Sequence, residues 1–263
     1  MLKKKGTYIP KRRYRKKMNV TKILIVTMPV VIAVVVLTGV LFAIKDYNKV
    51  IDVGVIKLDG ILNTDSEQVS LSEEESKKVL TIVSNDYKLP DDYKVNLVKV
   101  KGVSCDSLIV SSLKTLISDA KKDGINLVLT KGYVSPEEQD KLYNDKVKEL
   151  FDAGGITIVR SEFEAKKITP PAGYSEYQTG LSVEFNTTDN VEKSQFSSTD
   201  AYTWLVNNSV NYGFILRYPE SKETETKMKF DPTYFRFVGV DNAKKIRAMD
   251  MCFDEYYKYV NSR

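Results

Sequence analysis

Residues 175–184 read SEYQTGLSVE, so that Gly180 stands directly before the segment 181–185. Apolar Leu181, Val183 and Phe185 alternate in this segment with polar Ser182 and Glu184, which predicts a strand. A glycine beside a strand allows another backbone to approach closely. The segment therefore indicates a sheet strand that begins at a tight approach of two chain segments.

The segments around this strand predict an α+β fold, a small antiparallel sheet with flanking helices. The helical predictions rest on caps and apolar periodicity, as at Asp106, which can cap a first turn, and at Ser135, which precedes Pro136. Strands and helices mixed in one chain are typical of this fold class. The predicted helices are at about 72–83, 106–124, 136–151, 200–212 and from 242, and the strands near 125–129, 181–185, 214–218 and 234–238.

The N-terminal region predicts a membrane anchor. Residues 23–44 carry no charge, and these 22 residues at about 1.5 Å each cover a bilayer core of about 30 Å. Residues 1–22 hold ten Lys or Arg and no acid, which places this end in the cytoplasm and residues 45–263 outside the cell. A cleaved signal peptide is the alternative, but its apolar region is about 7 to 15 residues long. We expect a stalk or linker at 45–88 and the globular domain at 89–263.

Charge and residue usage limit the possible functions. Outside the ten basic residues of the tail, 30 Lys and Arg stand against 35 Asp and Glu, so the outer part is net negative and is not expected to bind nucleic acid. The chain has no histidine, the commonest metal ligand and general base. Cys105 and Cys252 are compatible with one disulfide or with two free thiols.

Three ordered segments resemble the VanY-type D-alanyl-D-alanine carboxypeptidases. The segments are 175–184 (SEYQTGLSVE), 212–219 (YGFILRYP) and 231–239 (DPTYFRFVG), with a weaker one at 131–135 (KGYVS). The similarity runs from about Leu89 to Val260. It implies a zinc-peptidase fold, and a relation to enzymes that trim the terminal D-alanine from cell-wall stem peptides.

The resemblance also assigns the positions of the chemistry. The family's three zinc ligands correspond to Tyr177, Glu184 and Tyr234, and its general base corresponds to Asp231. Catalytic zinc is usually held by three side chains, and a phenol with a pKa of about 10 is a poor ligand. From these residues we expect no cofactor, zinc having been lost. The family's arginine, which the resemblance would place on the substrate's developing charge, is Val134 here.

The remaining family positions are substrate-binding candidates. The resemblance implies this role for Tyr133, Ser175, Gln178 and Arg236, and the alternative is that they maintain the fold, with Arg236 in a structural ion pair. Tyr177 and Tyr234 either fill the former metal site or form an aromatic wall for a ligand.

These observations predict a membrane-anchored, extracytoplasmic and non-catalytic module that binds a stem peptide of peptidoglycan or an envelope protein. One alternative is an active metallo-carboxypeptidase in which Glu184 and Asp231 hold a harder ion through oxygen ligands. Another is a structural scaffold in a membrane complex.

Overall fold

The computed structural model describes residues 71–262. Within that range no helix is both long and apolar enough to cross a membrane. The predicted tail at 1–22, the span at 23–44 and most of the linker lie outside the described residues.

The described part alternates helices and strands in the manner expected for an α+β fold. The helices are α1 (Glu73–Val79), α2 (Val110–Lys122), α3 (Pro136–Asp152), α4 (Ile158–Lys166), α5 (Asp200–Asn208), α6 (Glu223–Thr226), α7 (Val240–Ala248) and α8 (Phe253–Asn261). The strands are β1 (Leu97–Val100), β2 (Val103–Asp106), β3 (Leu127–Lys131), β4 (Ser182–Thr187), β5 (Phe214–Tyr218) and β6 (Asp231–Phe237).

The strands form two antiparallel sheets. β1 and β2 make a hairpin, and the other four strands form a sheet in the order β3-β4-β6-β5. Side chains alternate between the two faces of a strand. On β4, Val183 and Phe185 therefore point to one face, whereas Glu184 points to the other.

The apolar core lies on the first of these faces. Val183 and Phe185 join Phe235 in one buried cluster with the apolar stripe of α2, namely Leu113, Leu116, Ile117 and Ala120. Each fully buried side chain of this size contributes about 1.5 to 3 kcal/mol. This core covers one face of the sheet. On the opposite face a second buried cluster, which includes Ile215, Ile246 and Phe253, covers one part, and the site lies beside it.

Gly180 makes the close approach that its position predicted. It has φ +68°, and its carbonyl accepts the Asp106 N–H at 2.8 Å. A Cβ at this position would lie 2.7 Å from Val95 Cγ1 and 3.0 Å from Asp106 N. Both the backbone conformation and the available space therefore require glycine here.

The packed region starts earlier than residue 89, where the sequence placed the start of the domain. Ser72 caps α1 through the capping box with Glu75, as predicted. Val79 and Val83 are completely buried. Since residues 73–83 contribute to the core, this segment belongs to the globular unit and not to a linker.

Three elements depart from the sequence prediction. The hairpin β1–β2 was not predicted, and three of the four residues of β1 are exposed, which removes the alternation that identifies a strand. Helix α4 was also missed. The C-terminal helix is two helices, α7 and α8, separated at Asp250, which has φ +52°.

Candidate functional site

The three positions assigned to metal ligands lie together on the face of the sheet opposite the α2 core. A 3₁₀ turn, Glu176–Thr179, carries Tyr177, and Glu184 follows on β4. Tyr234 on β6 is the Cα partner of Glu184, so their side chains are direct cross-strand neighbours. The rings of Tyr177 and Tyr234 are 4.7 Å apart, and the Tyr177 hydroxyl donates a short hydrogen bond to Glu184 Oε1.

A lysine that the sequence did not single out occupies the centre of this site. Lys193 begins a 3₁₀ turn, Lys193–Ser198. Its Nζ lies 2.9 Å from Glu184 Oε1 and 2.6 Å from Asp231 Oδ2. The other oxygen of Asp231, Oδ1, accepts the backbone N–H and the hydroxyl of Thr233. Lys193 thus bridges the two carboxylates, and both oxygens of Asp231 are occupied.

The protonation states follow from burial and from these neighbours. Burial raises the pKa of Asp231, and Lys193 opposes that rise. Burial alone would lower the pKa of Lys193, but the carboxylates of Asp231 and Glu184 outweigh it and raise this pKa overall. Burial holds the pKa of Tyr177 and Tyr234 well above the usual value of a phenol. At neutral pH Lys193 is therefore an ammonium, and the two phenols are neutral.

The two tyrosines are packed inside a small cluster and do not form a wall. Tyr177 is 8% exposed and Tyr234 4%, and both pack with Val134. Tyr218 extends the cluster, with its ring 5.0 Å from that of Tyr234. This burial agrees with the filling interpretation of the two phenols.

A second lysine lies beside the cluster. Lys131 ends β3 and is the Cα partner of Glu184, so Lys131, Glu184 and Tyr234 form one row across three strands. Its Nζ lies 4.2 Å from the centroid of the Tyr177 ring. Burial lowers the pKa of Lys131, while Glu184 raises it.

Buried, charged side chains hold the turn that carries Tyr177 in place. Glu176 accepts from Arg217 Nε at 2.8 Å and, through its other oxygen, from Arg236. Arg217 Nη1 also lies 2.5 Å from Asp254 Oδ2, on α8. Glu176, Arg217 and Arg236 are completely buried. This ionic network joins the turn, β5, β6 and the C-terminal helix.

Comparison with known proteins places this site in a family. The sequence model described as VanY, D-alanyl-D-alanine carboxypeptidase, matches residues 103–240. A D-alanyl-D-alanine carboxypeptidase of Enterococcus faecalis (strain ATCC 700802 / V583) is 32% identical over 184 residues, which are 70% of this chain and 67% of the relative. The chain belongs to the VanY D-alanyl-D-alanine carboxypeptidase family.

Solved structures agree with that membership. A point mutant of the vancomycin-resistance D,D-pentapeptidase VanY, in complex with Zn(II), is 31% identical with a TM-score of 0.62, and the match covers 68% of this chain and 98% of that one. VanYB in complex with D-alanine-D-alanine is 32% identical with a TM-score of 0.62, over 68% of this chain and 96% of that one. The α+β fold with a small antiparallel sheet is thereby confirmed.

The expectation that no cofactor is involved is corrected by these structures. The VanY relative was solved with Zn(II), so zinc is the ion associated with this family. Of the three assigned positions only Glu184 is an ordinary zinc donor, and its Oε1 already accepts from Lys193 and Tyr177. As placed, the three side chains do not fit zinc.

The substrate-binding candidates have different surroundings. Ser175 and Gln178 are buried, and Gln178 Oε1 accepts the Gly173 N–H at 2.6 Å, whereas Tyr133 is partly exposed. All five N–H groups of Arg236 are used inside the fold. Their acceptors are the carbonyls of Phe237, Val79 and Thr81, the hydroxyl of Thr179 and the carboxylate of Glu176. Arg236 has the contacts of the structural ion pair that the sequence offered as the alternative.

Proposed function

We propose that this chain is a membrane-anchored, extracytoplasmic peptidoglycan-binding module that binds the terminal peptide of a cell-wall stem without cleaving it. The observation that carries the proposal is the Lys193 bridge between Glu184 and Asp231. The proposal combines the membership of a D-alanyl-D-alanine carboxypeptidase family with a site whose acidic groups are engaged by the chain itself.

The bridge is unfavourable for hydrolysis because a general base needs a free lone pair facing the proton that it accepts. Asp231 stands at the position of the family's base. Its Oδ2 is held by the Lys193 ammonium, and its Oδ1 is held by Thr233. The ion pair also opposes the rise in pKa that burial gives Asp231. Asp231 is therefore poorly suited to take a proton from water.

Peptide binding is supported by the preserved frame. VanYB was solved with D-alanine-D-alanine, and it shares 32% of its residues with this chain over nearly its whole length. The turn at Glu176–Thr179 and strand β4 keep the arrangement in which the three assigned positions meet. A member of this family in which these positions meet is suited to bind a peptide ending in D-alanine.

The proposed membrane anchor and the placement of the C-terminal part outside the cell are based on the N-terminal sequence. The uncharged stretch at 23–44 and the ten basic residues before it favour an anchor with a cytoplasmic N-terminus. The test is protease digestion of intact and lysed spheroplasts that carry the full chain with a C-terminal tag. We expect the tag to be removed in intact cells, while protection until lysis would refute the orientation.

Binding and cleavage are tested together on the full chain in detergent micelles. Calorimetry with a peptide ending in D-Ala-D-Ala measures binding, and D-alanine release is measured on the same sample with and without added zinc. We expect saturable binding and no release. Release above that of a denatured sample would refute the non-catalytic part, and the absence of binding would favour the scaffold alternative.

A further inference from the structure

Exposed apolar side chains are concentrated in one part of the surface, the 151–168 patch. Among residues 71–262, twelve large apolar side chains are exposed, and six of them lie in this patch. The patch spans the end of α3, the connection and α4, and the two helices pack against each other. Such a group, unlike single exposed apolar residues, indicates a surface that contacts another molecule or a lipid phase. The six, which are between 36% and 70% exposed, are Phe151, Ile156, Ile158, Val159, Phe163 and Ile168.

Helix α4 carries its large apolar residues on the side that faces away from the protein. The residues that it buries are small, Ser161 and Ala165. Val159 and Phe163 are four positions apart, so they lie on one side of the helix, and they are 70% and 52% exposed. A helix on the surface of a soluble domain usually has the opposite arrangement, with its apolar residues toward the core. The outer side of α4 is therefore suited to contact a second apolar phase.

The most exposed aromatic ring of the patch lies between two cations. The guanidinium carbon of Arg160 is 5.2 Å from the centroid of the Phe163 ring, and the Lys167 ammonium is 4.4 Å from it. Both cations also pair with Glu164, so the charges of this helix nearly balance. Helices that lie in a membrane interface combine an apolar side with Lys and Arg beside it, at the level of the phosphate groups. The surroundings of Phe163 correspond to that arrangement.

The proposed anchor keeps a bilayer within reach of the patch. Residues 45–70 connect the predicted span at 23–44 to the described part of the chain. These 26 residues extend to at most about 90 Å, whereas a domain of this size has a radius of gyration of about 16 Å. Any side of the globular unit can therefore reach the membrane, and the tether keeps the local concentration of lipid surface high. A phospholipid surface is thus an apolar phase that is always available to residues 151–168.

We propose that the 151–168 patch inserts its exposed apolar side chains into the surface of the membrane that carries the anchor, and so holds the globular unit on the lipid. This inference rests on the proposed function, because it requires the anchor at 23–44. Val159 and Phe163 enter the boundary of the acyl chains, while the charged ends of Arg160 and Lys167 stay beside the phosphate groups.

The test uses the full chain in liposomes of phosphatidylcholine and phosphatidylglycerol. The liposomes also contain a phospholipid with a photoreactive group in one acyl chain near the glycerol, and mass spectrometry locates the lipid adducts after illumination. Leu97 and Val98 on β1 are the internal control, since they are 49% and 41% exposed and lie outside the patch. The double variant Val159→Ser, Phe163→Ser is compared with the matched double variant Leu97→Ser, Val98→Ser.

We expect lipid adducts at 23–44 and at 151–168 in the wild type, with a yield at 151–168 at least about 10-fold above that at 97–98. The Val159→Ser, Phe163→Ser variant should lower the yield at 151–168 by about 10- to 100-fold, the factor given by the burial of two half-exposed apolar side chains. Its adducts at 23–44 should be unchanged, which shows that the anchor is still inserted. The Leu97→Ser, Val98→Ser variant should behave as the wild type does.

Three results would overturn the inference alone. The first is a wild type with adducts at 23–44 and none above the control level at 151–168, and the second is an unchanged yield in the Val159→Ser, Phe163→Ser variant. The third is a yield at 151–168 that falls as the protein-to-lipid ratio rises, because a second copy of the chain would then cover the patch. A wild type without adducts at 23–44 would instead refute the anchor of the proposed function, and the inference with it.

Discussion

Replacing Glu176 by glutamine should destabilise the protein strongly. Glu176 is completely buried and its two oxygens accept from two buried guanidinium groups, Arg217 at 2.8 Å and Arg236. The amide of glutamine keeps the shape but directs an NH₂ group at one of these donors. Removing one partner of a buried ion pair costs about 3 to 5 kcal/mol, because the charges that remain are uncompensated. We expect a loss of this size in the free energy of unfolding.

The assay is urea unfolding of the full chain in micelles, followed by the fluorescence of Trp204. Trp204 is the single tryptophan of the sequence, and its Nε1 donates to Asp123 at 2.8 Å. The matched control is Glu73→Gln. Glu73, in the first turn of α1, is highly exposed and pairs with Lys77 in the last turn. Such exposed pairs contribute about 0.3 to 0.5 kcal/mol. If Glu176→Gln lowered the free energy of unfolding by less than about 1 kcal/mol, as the loss of an exposed ion pair does, the buried network would not be what stabilises the turn.

Three further perturbations test separate parts of the structure. Lys193→Met removes the charge that opposes the raised pKa of Asp231, and a folded state with a raised carboxyl pKa loses stability as pH rises through that pKa. The variant should therefore lose about 1 kcal/mol in the free energy of unfolding at pH 7 and less near pH 4, whereas an equal loss at both pH values would contradict this. Gly180→Ala should cost about 1 to 3 kcal/mol by the same assay, because φ is +68° and the added Cβ has no space, and an unchanged midpoint would show that the approach is not tight. Burial raises the pKa of Cys105 and Cys252 to about 11, two pH units above the ordinary value, so both thiols should react about 100-fold more slowly than a free cysteine at pH 8 until urea is added; rapid labelling of the native chain would refute their burial.

Local signals predicted much of the fold because the residues that produce them act within a few positions. Ser72 and Ser135 cap their helices through hydrogen bonds to the residue three positions later, and both caps are present as expected. The strand at 214–218 was located to the residue. Helix α4 has the opposite pattern: it buries Ser161 and Ala165 and exposes Ile158, Val159 and Phe163, so its apolar residues do not mark a buried face.

The sequence identified only those site residues that lie within the family's motifs. The resemblance assigned Tyr177, Glu184 and Tyr234 to one site, and in the structure Glu184 and Tyr234 are cross-strand neighbours that Tyr177 contacts. Lys193 could not be found this way, because it lies in a short 3₁₀ turn outside the motifs, and its position depends on how that turn folds over the sheet. The expectation about cofactors was made from ligand identity alone, and the Zn(II)-bound relative corrects it.

The ionic network beneath the turn determines which side chains of the site can be exchanged without disturbing the turn. The backbone that presents Tyr177 is held by the preceding residue, Glu176, through Arg217 and Asp254, and none of these groups faces a ligand. The residues that hold the turn in place are therefore different from those that surround the site. Side chains around Glu184 and Tyr234 can therefore be exchanged without removing the ion pairs that hold the turn.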